Sequence, residues 1–331
     1  MDDSNRLMDS DFLILFESIL TPVKKQNISV TFSSRKYELP SYLVKEITKR
    51  IESIKKHSKV EGFDFFDDKV ARLDDWSFNK NDDDGILRLH FSETSYYYFA
   101  AMNLGLDEPV TILDNNKNYY HDKRKQFTLR HLLRERSNDL KKSKLPNPLS
   151  INMSVLLISP SSKSGNITDL KPKIILSKRS KSHTLEAQRT LSCLIGGTIS
   201  IGEGDLDATG NPDCFKTVVR EAKEELSLDL YDEFNDNNIV FFGLGRNMLN
   251  LKPELYGEVL ISGITEKEIV QSWKNAKDKE ESTNLIFEDI NGSRLRTMIK
   301  QKSGWSPVGR RATIVSLKNW SEPRSIDDFK D

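Results

Sequence analysis

Glu221, Glu224 and Glu225 close the run Arg220-Glu221-Ala222-Lys223-Glu224-Glu225, and their spacing at i, i+3 and i+4 brings three carboxylates onto one face of a helix. Like charges so placed repel, and a helix gains nothing from them unless a cation sits among them. A hard divalent cation takes oxygen ligands, keeps several waters and shares its shell with substrate phosphates, which points to Mg²⁺, with Mn²⁺ as the alternative. The chemistry such an ion supports is cleavage of a phosphate anhydride, because it neutralises developing charge and lowers the pKa of a bound water. Glu221, Glu224 and Glu225 are the expected metal set, and Glu224, Glu225 and Arg220 the expected catalytic set. Arg220 lies one turn before Glu224, where an i, i+4 pair orients that carboxylate. The general base stays open among Glu224, Glu225, Glu254 and Glu258, with Glu203 a supporting, metal or base residue.

Several elements must position that face. Thr190 to Ile195 reads as a strand running into Gly196-Gly197, where missing side chains permit a tight bend and close backbone approach. Gly204 to Pro212 is rich in turn formers and reads as a loop insertion. Asp213 is then the helix N-cap. At the far end stands Ser227, where a left-handed exit would favour Gly. Strand, glycine bend and acidic helix follow one another in the order that a metal site needs.

Gly197, Glu203 and then Arg220-Glu221-x-x-Glu224-Glu225-x-Ser227-Leu228 together resemble the signature of the Nudix hydrolase superfamily. The segment between Glu203 and Arg220 is longer here than in the family pattern, and Ser227 replaces the usual Gly. The resemblance implies an α/β (α+β) mixed-sheet sandwich with helices on its faces, and cleavage of a nucleoside diphosphate linked to another group. Further short motifs are collinear with the animal UDP-glucose diphosphatase branch of that superfamily. They are Phe65-Phe66-Asp67, Arg72-Leu73, Leu87-Arg88-Leu89, Thr94-Ser95-Tyr96, Asn103, Asn147-Pro148-Leu149, Arg179-Ser180, Gly243 to Asn247, Glu281-Ser282-Thr283 and Trp305-Ser306-Pro307. This similarity implies hydrolysis of UDP-glucose or UDP-galactose to UMP and hexose 1-phosphate. Thr94 and Asn103 become substrate candidates on the resemblance alone.

Other candidates rest on residue chemistry. Gly196 and Gly197 line the bend. Arg179 is either a bidentate phosphate contact or a strand-end surface charge. Tyr96 either stacks on a base or joins a packed core. Arg246 and Asn247 sit at a strand end, where they either bind substrate or build a turn. Two alternatives to the nucleotide-sugar reading remain. One is a different nucleotide diphosphate, such as ADP-ribose, a dinucleoside polyphosphate or a coenzyme. The other is a nucleotide-binding regulator without turnover.

Composition sets the frame. The 331 residues carry a formal net charge of zero, with 30% charged and 37% hydrophobic residues, a globular balance. Without an excess of positive charge, nucleic acid is not the expected partner. No apolar run has the length of a membrane span, so no membrane is expected either. Met1 to Ser10 is acidic and does not read as a secretory signal, and Cys193 and Cys214 suit a reducing, cytoplasmic setting. The basic, proline-containing stretch Lys141 to Pro148 reads as a linker. It divides a smaller N-terminal α+β domain (1–148), covering the substrate cleft, from a catalytic domain (149–331). Helices are expected over Ser41–Lys56, Thr94–Gly105, Phe127–Arg136, Glu266–Ala276 and Ser306–Leu317, and a hairpin from Val70–Trp76 and Ile86–Phe91.

Overall fold

The structure, a computed structural model, describes residues 11–61, 67–79, 85–110, 127–133, 139–158, 172–180, 190–202, 204–229 and 238–321. Glu203, the turn at 81–84 and most of the polar stretch 159–171 lie outside them. The chain begins with β1 (Phe12–Glu17), β2 (Ile28–Lys36), α1 (Val44–Glu61), β3 (Lys69–Asn79) and β4 (Ile86–Ser95). A short α2 (Tyr96–Phe99), a π turn over Ala100–Leu104, the small pair β5 (Pro109–Val110) and β6 (Phe127–Thr128), and α3 (Leu129–Leu133) follow. Then come β7 (Ser150–Ile158), β8 (Lys173–Arg179), β9 (Leu191–Cys193), β10 (Ile195–Thr198) and α4 (Cys214–Leu226). The last elements are β11 (Ile239–Asn247), β12 (Pro253–Ser262), α5 (Glu266–Lys274), β13 (Ser282–Asp289), α6 (Ser293–Lys300) and α7 (Pro307–Trp320).

This is a mixed α+β architecture. An eight-stranded sheet runs in the order β1-β11-β12-β7-β8-β13, and β2-β4-β3 form a second sheet. β7 is the hub, and it is buried along nearly its whole length, as a central strand must be. On one edge it pairs in parallel with β12. On its other edge the partner changes: β10 takes Ser150 to Met153, and β8 takes Val155 to Leu157. The sheet forks at that change, and the glycines of β10 lie on the short branch.

Helices cover the large sheet on both faces. Val218, Ala222 and Leu226 of α4 join Ile151, Met153 and Leu255 on one side. Val308, Ala312 and Val315 of α7 pack with Phe242 and Tyr256 on the other. A buried ionic set ties β1 to this second face: Arg311 Nε donates to Glu17 Oε2 at 2.8 Å, and the Tyr256 hydroxyl donates to the same carboxylate at 2.5 Å. Both thiols are buried and free, and burial pushes Cys193 up to about 12, which makes it inert. Among the described residues no helix is long and apolar enough to cross a membrane.

The stretch read as a linker is not a free tether. Leu145 and Asn147 are fully buried, and Arg72 donates to the carbonyls of Ser143 (3.0 Å) and Leu145 (3.3 Å). Leu140 and Leu145, which flank the lysines, dock the segment into two clusters: Leu140 into that of Leu73 on β3, Leu145 into that of Leu43, Ile47 and Met102. The core is continuous across residue 148, since Leu73, Leu87 and Leu89 belong to the same cluster as Ile151, Met153 and Leu255. β1 also sits at the edge of the large sheet, beyond the expected domain boundary.

Candidate active site

α4 is specified by its own residues. Buried Phe215, Val218, Ala222 and Leu226 recur at helical spacing and leave the acidic residues on the neighbouring stripe. Asp213 caps the first turn, its Oδ1 accepting from the N–H groups of Phe215 (2.8 Å) and Lys216 (3.2 Å). Ser227 ends the helix in the left-handed region at φ 55° and ψ 32°. Its N–H donates to the Lys223 carbonyl (3.0 Å), a left-handed C-terminal cap. Replacing Ser227 by Gly should relieve that conformation and raise stability by roughly 0.5–1 kcal/mol, read as a higher urea midpoint.

The two glycines and the acidic face meet, but Gly196 and Gly197 form no bend: both lie inside β10, paired with Asn152 and Ile151 of β7. The Gly196 N–H donates to Glu225 Oε2 at 3.0 Å. A methyl group built on Gly197 would lie 1.7 Å from Glu221 Oε1, so only glycine admits that carboxylate. The residues just past the glycines are gripped by the second sheet: the Ala71 N–H donates to the Ile199 carbonyl (2.9 Å), and the Ile201 N–H to that of Lys69 (2.9 Å).

Arg220 is clamped from the segment read as an insertion. Its Nε and Nη2 donate to the two oxygens of Asp205 at 2.8 and 2.9 Å, a bidentate pair. Asp205 is fully buried and also accepts from the Ser200 N–H (2.9 Å) and the Thr217 hydroxyl (3.1 Å). The remaining Arg220 nitrogen, Nη1, lies 2.7 Å from Glu221 Oε1 and 2.8 Å from Glu224 Oε2. The expected i, i+4 pair with Glu224 is therefore present, and Asp205 is its unexpected anchor.

The three glutamates do not share one environment. Glu221 is buried and Glu225 half-buried, and both face the glycines of β10. Burial pushes Glu221 up to about 8, against the pull of the Arg220 guanidinium, and the charges of Glu224 and Glu281 add to the rise. Burial, then the charges of Glu221 and Glu281, raises Glu225 well above the ordinary carboxylate range, while Arg179 opposes. Glu224 goes the other way: burial would raise it, but Lys277 and Arg220 outweigh burial and hold it low. Its Oε1 accepts from Lys277 Nζ at 2.5 Å. Among the described residues, no group of three His, Cys, Asp or Glu side chains is arranged to hold a metal ion, and Glu224 stands with its cations instead. Mg²⁺ needs only one or two carboxylates beside waters and phosphates, so the pair Glu221 and Glu225 fits it in donor type and in uncompensated negative charge.

That pair predicts a pH dependence. Folded Glu221 holds a proton that the unfolded chain has already released, so stability of the metal-free protein should fall as pH rises from about 4.5 toward about 8. Saturating Mg²⁺ should flatten the fall, because the ion binds the deprotonated carboxylates. Urea midpoints across this range, with and without the ion, check both.

Of the other sequence candidates, Arg179 joins the site. Its Nη2 donates to Glu281 Oε2 at 3.3 Å, its Nε is buried without a partner among the described residues, and its charge reaches Glu225. The rest lie elsewhere. Arg246 is fully buried and donates to the Leu251 carbonyl (2.8 Å) and to Asn147 Oδ1 (3.0 Å). Asn247 Oδ1 accepts from the Leu249 N–H (3.0 Å), inside a turn. Asn103 donates to the Asn250 carbonyl (2.8 Å), which pins that turn to the π segment. Tyr96 packs on Phe99, with ring centroids 5.4 Å apart. Thr94 is buried on β4, with its hydroxyl unpartnered. Glu258 accepts from Asn319 (2.8 Å) on α7, and strand alternation puts Glu254 on that same side with Tyr256. Sequence reasoning missed Asp205, Lys277 and the role of Glu281. Only Asp205 had a local signal, being a carboxylate just past the glycines.

No family model matches the sequence, and no curated protein does. Among solved structures, similar folds include a mutT/nudix family protein from Listeria innocua, with 13% identity, 52% of this chain and 91% of that chain covered, and a TM-score of 0.31. Another is the NUDIX domain of Shewanella oneidensis NrtR, complexed with ADP ribose, with 12% identity, 52% and 86% covered, and a TM-score of 0.29. These likenesses are distant and span about half of the chain, so the functional reading rests on the side chains above.

Proposed function

We propose that this chain is a divalent-cation-dependent hydrolase of a nucleoside diphosphate linked to a second group, in the manner of Nudix enzymes. One observation supports this most: Glu221, buried, and Glu225, half-buried, lie together against the two glycines of β10, with too little positive charge nearby to keep both ionised. A folded chain keeps such a pair for a cation. When bound there, Mg²⁺ or Mn²⁺ would supply charge neutralisation and a more acidic water. The protein's own part is to hold. Gly196 and Gly197 admit the carboxylates, Asp205 fixes Arg220, and Arg220 orients Glu221 and Glu224. Arg179, whose charge bears on Glu225 and whose Nη2 meets Glu281, is the proposed phosphate contact.

The finer reading is a nucleoside diphosphate sugar, with UDP-glucose or UDP-galactose first, and it rests on the collinear motifs alone. Of the base candidates, Glu225 is the one held against β10, by the Gly196 N–H, and it is the proposed base. A product survey over UDP-hexoses, ADP-ribose, dinucleoside polyphosphates and coenzymes, with Mg²⁺ and Mn²⁺, tests it. Release of UMP and hexose 1-phosphate is expected. No cleavage of any member would refute the enzyme reading. One observation favours a second reading, a nucleotide-binding regulator: both oxygens of Glu224 are occupied by side-chain cations. Tight nucleotide binding without turnover in the same survey would establish it.

A further inference from the structure

The turn after α5 crosses the end of α4 and brings two opposite charges to the acidic face. The Asp278 N–H donates to the main-chain carbonyl of Glu224 (2.9 Å), which fixes the turn at that residue. One position earlier, Lys277 Nζ lies 2.5 Å from Glu224 Oε1. Three positions later, Glu281 pairs with Arg179 and bears on Glu221 and Glu225. The lysine side chain is 70% exposed and the glutamate only 22%, so the ammonium reaches in from solvent over a partly covered carboxylate. Glu224 Oε2 already has Arg220, and that contact is braced from behind by buried Asp205. Lys277 has no such brace. Of the two cations on Glu224, it is the one free to leave.

We propose that Lys277 is a substrate-binding residue stored on Glu224: when a divalent cation held by Glu221 and Glu225 draws in Glu224 as a third ligand, the ammonium leaves that carboxylate for the anionic diphosphate of the substrate. The inference rests on the metal-dependent reading of the site and adds to it a residue outside the acidic helix. Charge is conserved in the exchange. Glu224 trades one cation for another, and the displaced ammonium finds an anion that arrives with the metal. A four-carbon stem and a compact charge suit this movement better than a guanidinium would.

The test uses the full chain and binding readouts. Mn²⁺ alone, titrated by electron paramagnetic resonance, should bind Lys277→Met about two- to fivefold tighter than the unaltered protein, the range that removal of an exposed ion pair allows. Methylenediphosphonate premixed with Mn²⁺ should bind the same variant about tenfold more weakly, as loss of one charge-assisted hydrogen bond implies. Lys279→Met, which removes an equal charge whose ammonium instead meets the Lys274 carbonyl, should change neither. Mn²⁺ affinity unchanged or weakened in Lys277→Met, diphosphonate affinity unchanged, or equal effects in Lys279→Met would each overturn the exchange while leaving the metal site standing. An unaltered protein that binds no Mn²⁺ would overturn the functional reading and this inference with it.

Discussion

Glu225→Gln should lower turnover of the preferred nucleotide diphosphate by about 10²- to 10⁴-fold, the range for loss of a positioned acid–base group, and should at the same time stabilise the metal-free protein. The two effects share one cause. Glutamine matches the shape of Glu225 and keeps an oxygen to accept from the Gly196 N–H. It removes the charge, and with it the repulsion from Glu221 and Glu281 that raises the Glu225 carboxyl. A site built to receive a cation is strained when empty, so relief of that strain is visible as a higher urea midpoint. A residue that merely supported the fold would show the opposite sign, with lower stability and turnover falling in step. Steady-state kinetics and urea denaturation on one preparation separate the cases. Unchanged turnover would remove Glu225 from the reaction. Gly197→Ala should mimic the loss without touching an acid, because the added methyl would occupy the place of Glu221 Oε1.

The second large effect concerns Asp205. Its replacement by Ala should destabilise the protein by about 3–5 kcal/mol, the usual consequence of removing one partner from a buried ion pair. Three groups lose an acceptor together: the Arg220 fork, the Ser200 N–H and the Thr217 hydroxyl, which keeps only the Asp213 carbonyl among the described residues. Activity should fall further than stability explains, since Arg220 also positions Glu221 and Glu224. A double-mutant cycle with Arg220→Met isolates the pair, and a coupling of about 2 kcal/mol or more is expected for groups that share a network. Coupling near zero would return 204–212 to the status of a dispensable insertion. Shortening the segment after residue 206 should be far milder, because the turn at Asp207 to Asn211 is exposed and closes on itself through Asp207.

Much of the fold was legible from local pattern. The helix from Ser41, the β3–β4 hairpin, β7, α4 with its Asp213 cap and the final helix with Pro307 in its first turn all follow from periodicity and end signals within one segment. β1 was overlooked although Phe12 to Phe16 is apolar, because a short apolar run has no sign of which sheet it will join. Its place beside β11 is a contact between segments distant in sequence. The supposed linker failed for a similar reason: lysines and prolines read as solvent-facing, while Leu140 and Leu145 are buried in two clusters whose other members are distant in sequence.

The chain's residues alone determined that an acidic helix follows a glycine pair, and that Arg220, Glu221, Glu224 and Glu225 share its surface, because helical spacing is a local property; that the pair lies in a strand and forms no bend came from its pairing with β7. They could not determine how those carboxylates divide. Burial beside Gly196 and Gly197, the clamp from Asp205 and the reach of Lys277 from a later turn set Glu221 and Glu225 apart from Glu224. Charge state depends on desolvation and on neighbours distant in sequence, and only the folded chain brings those together.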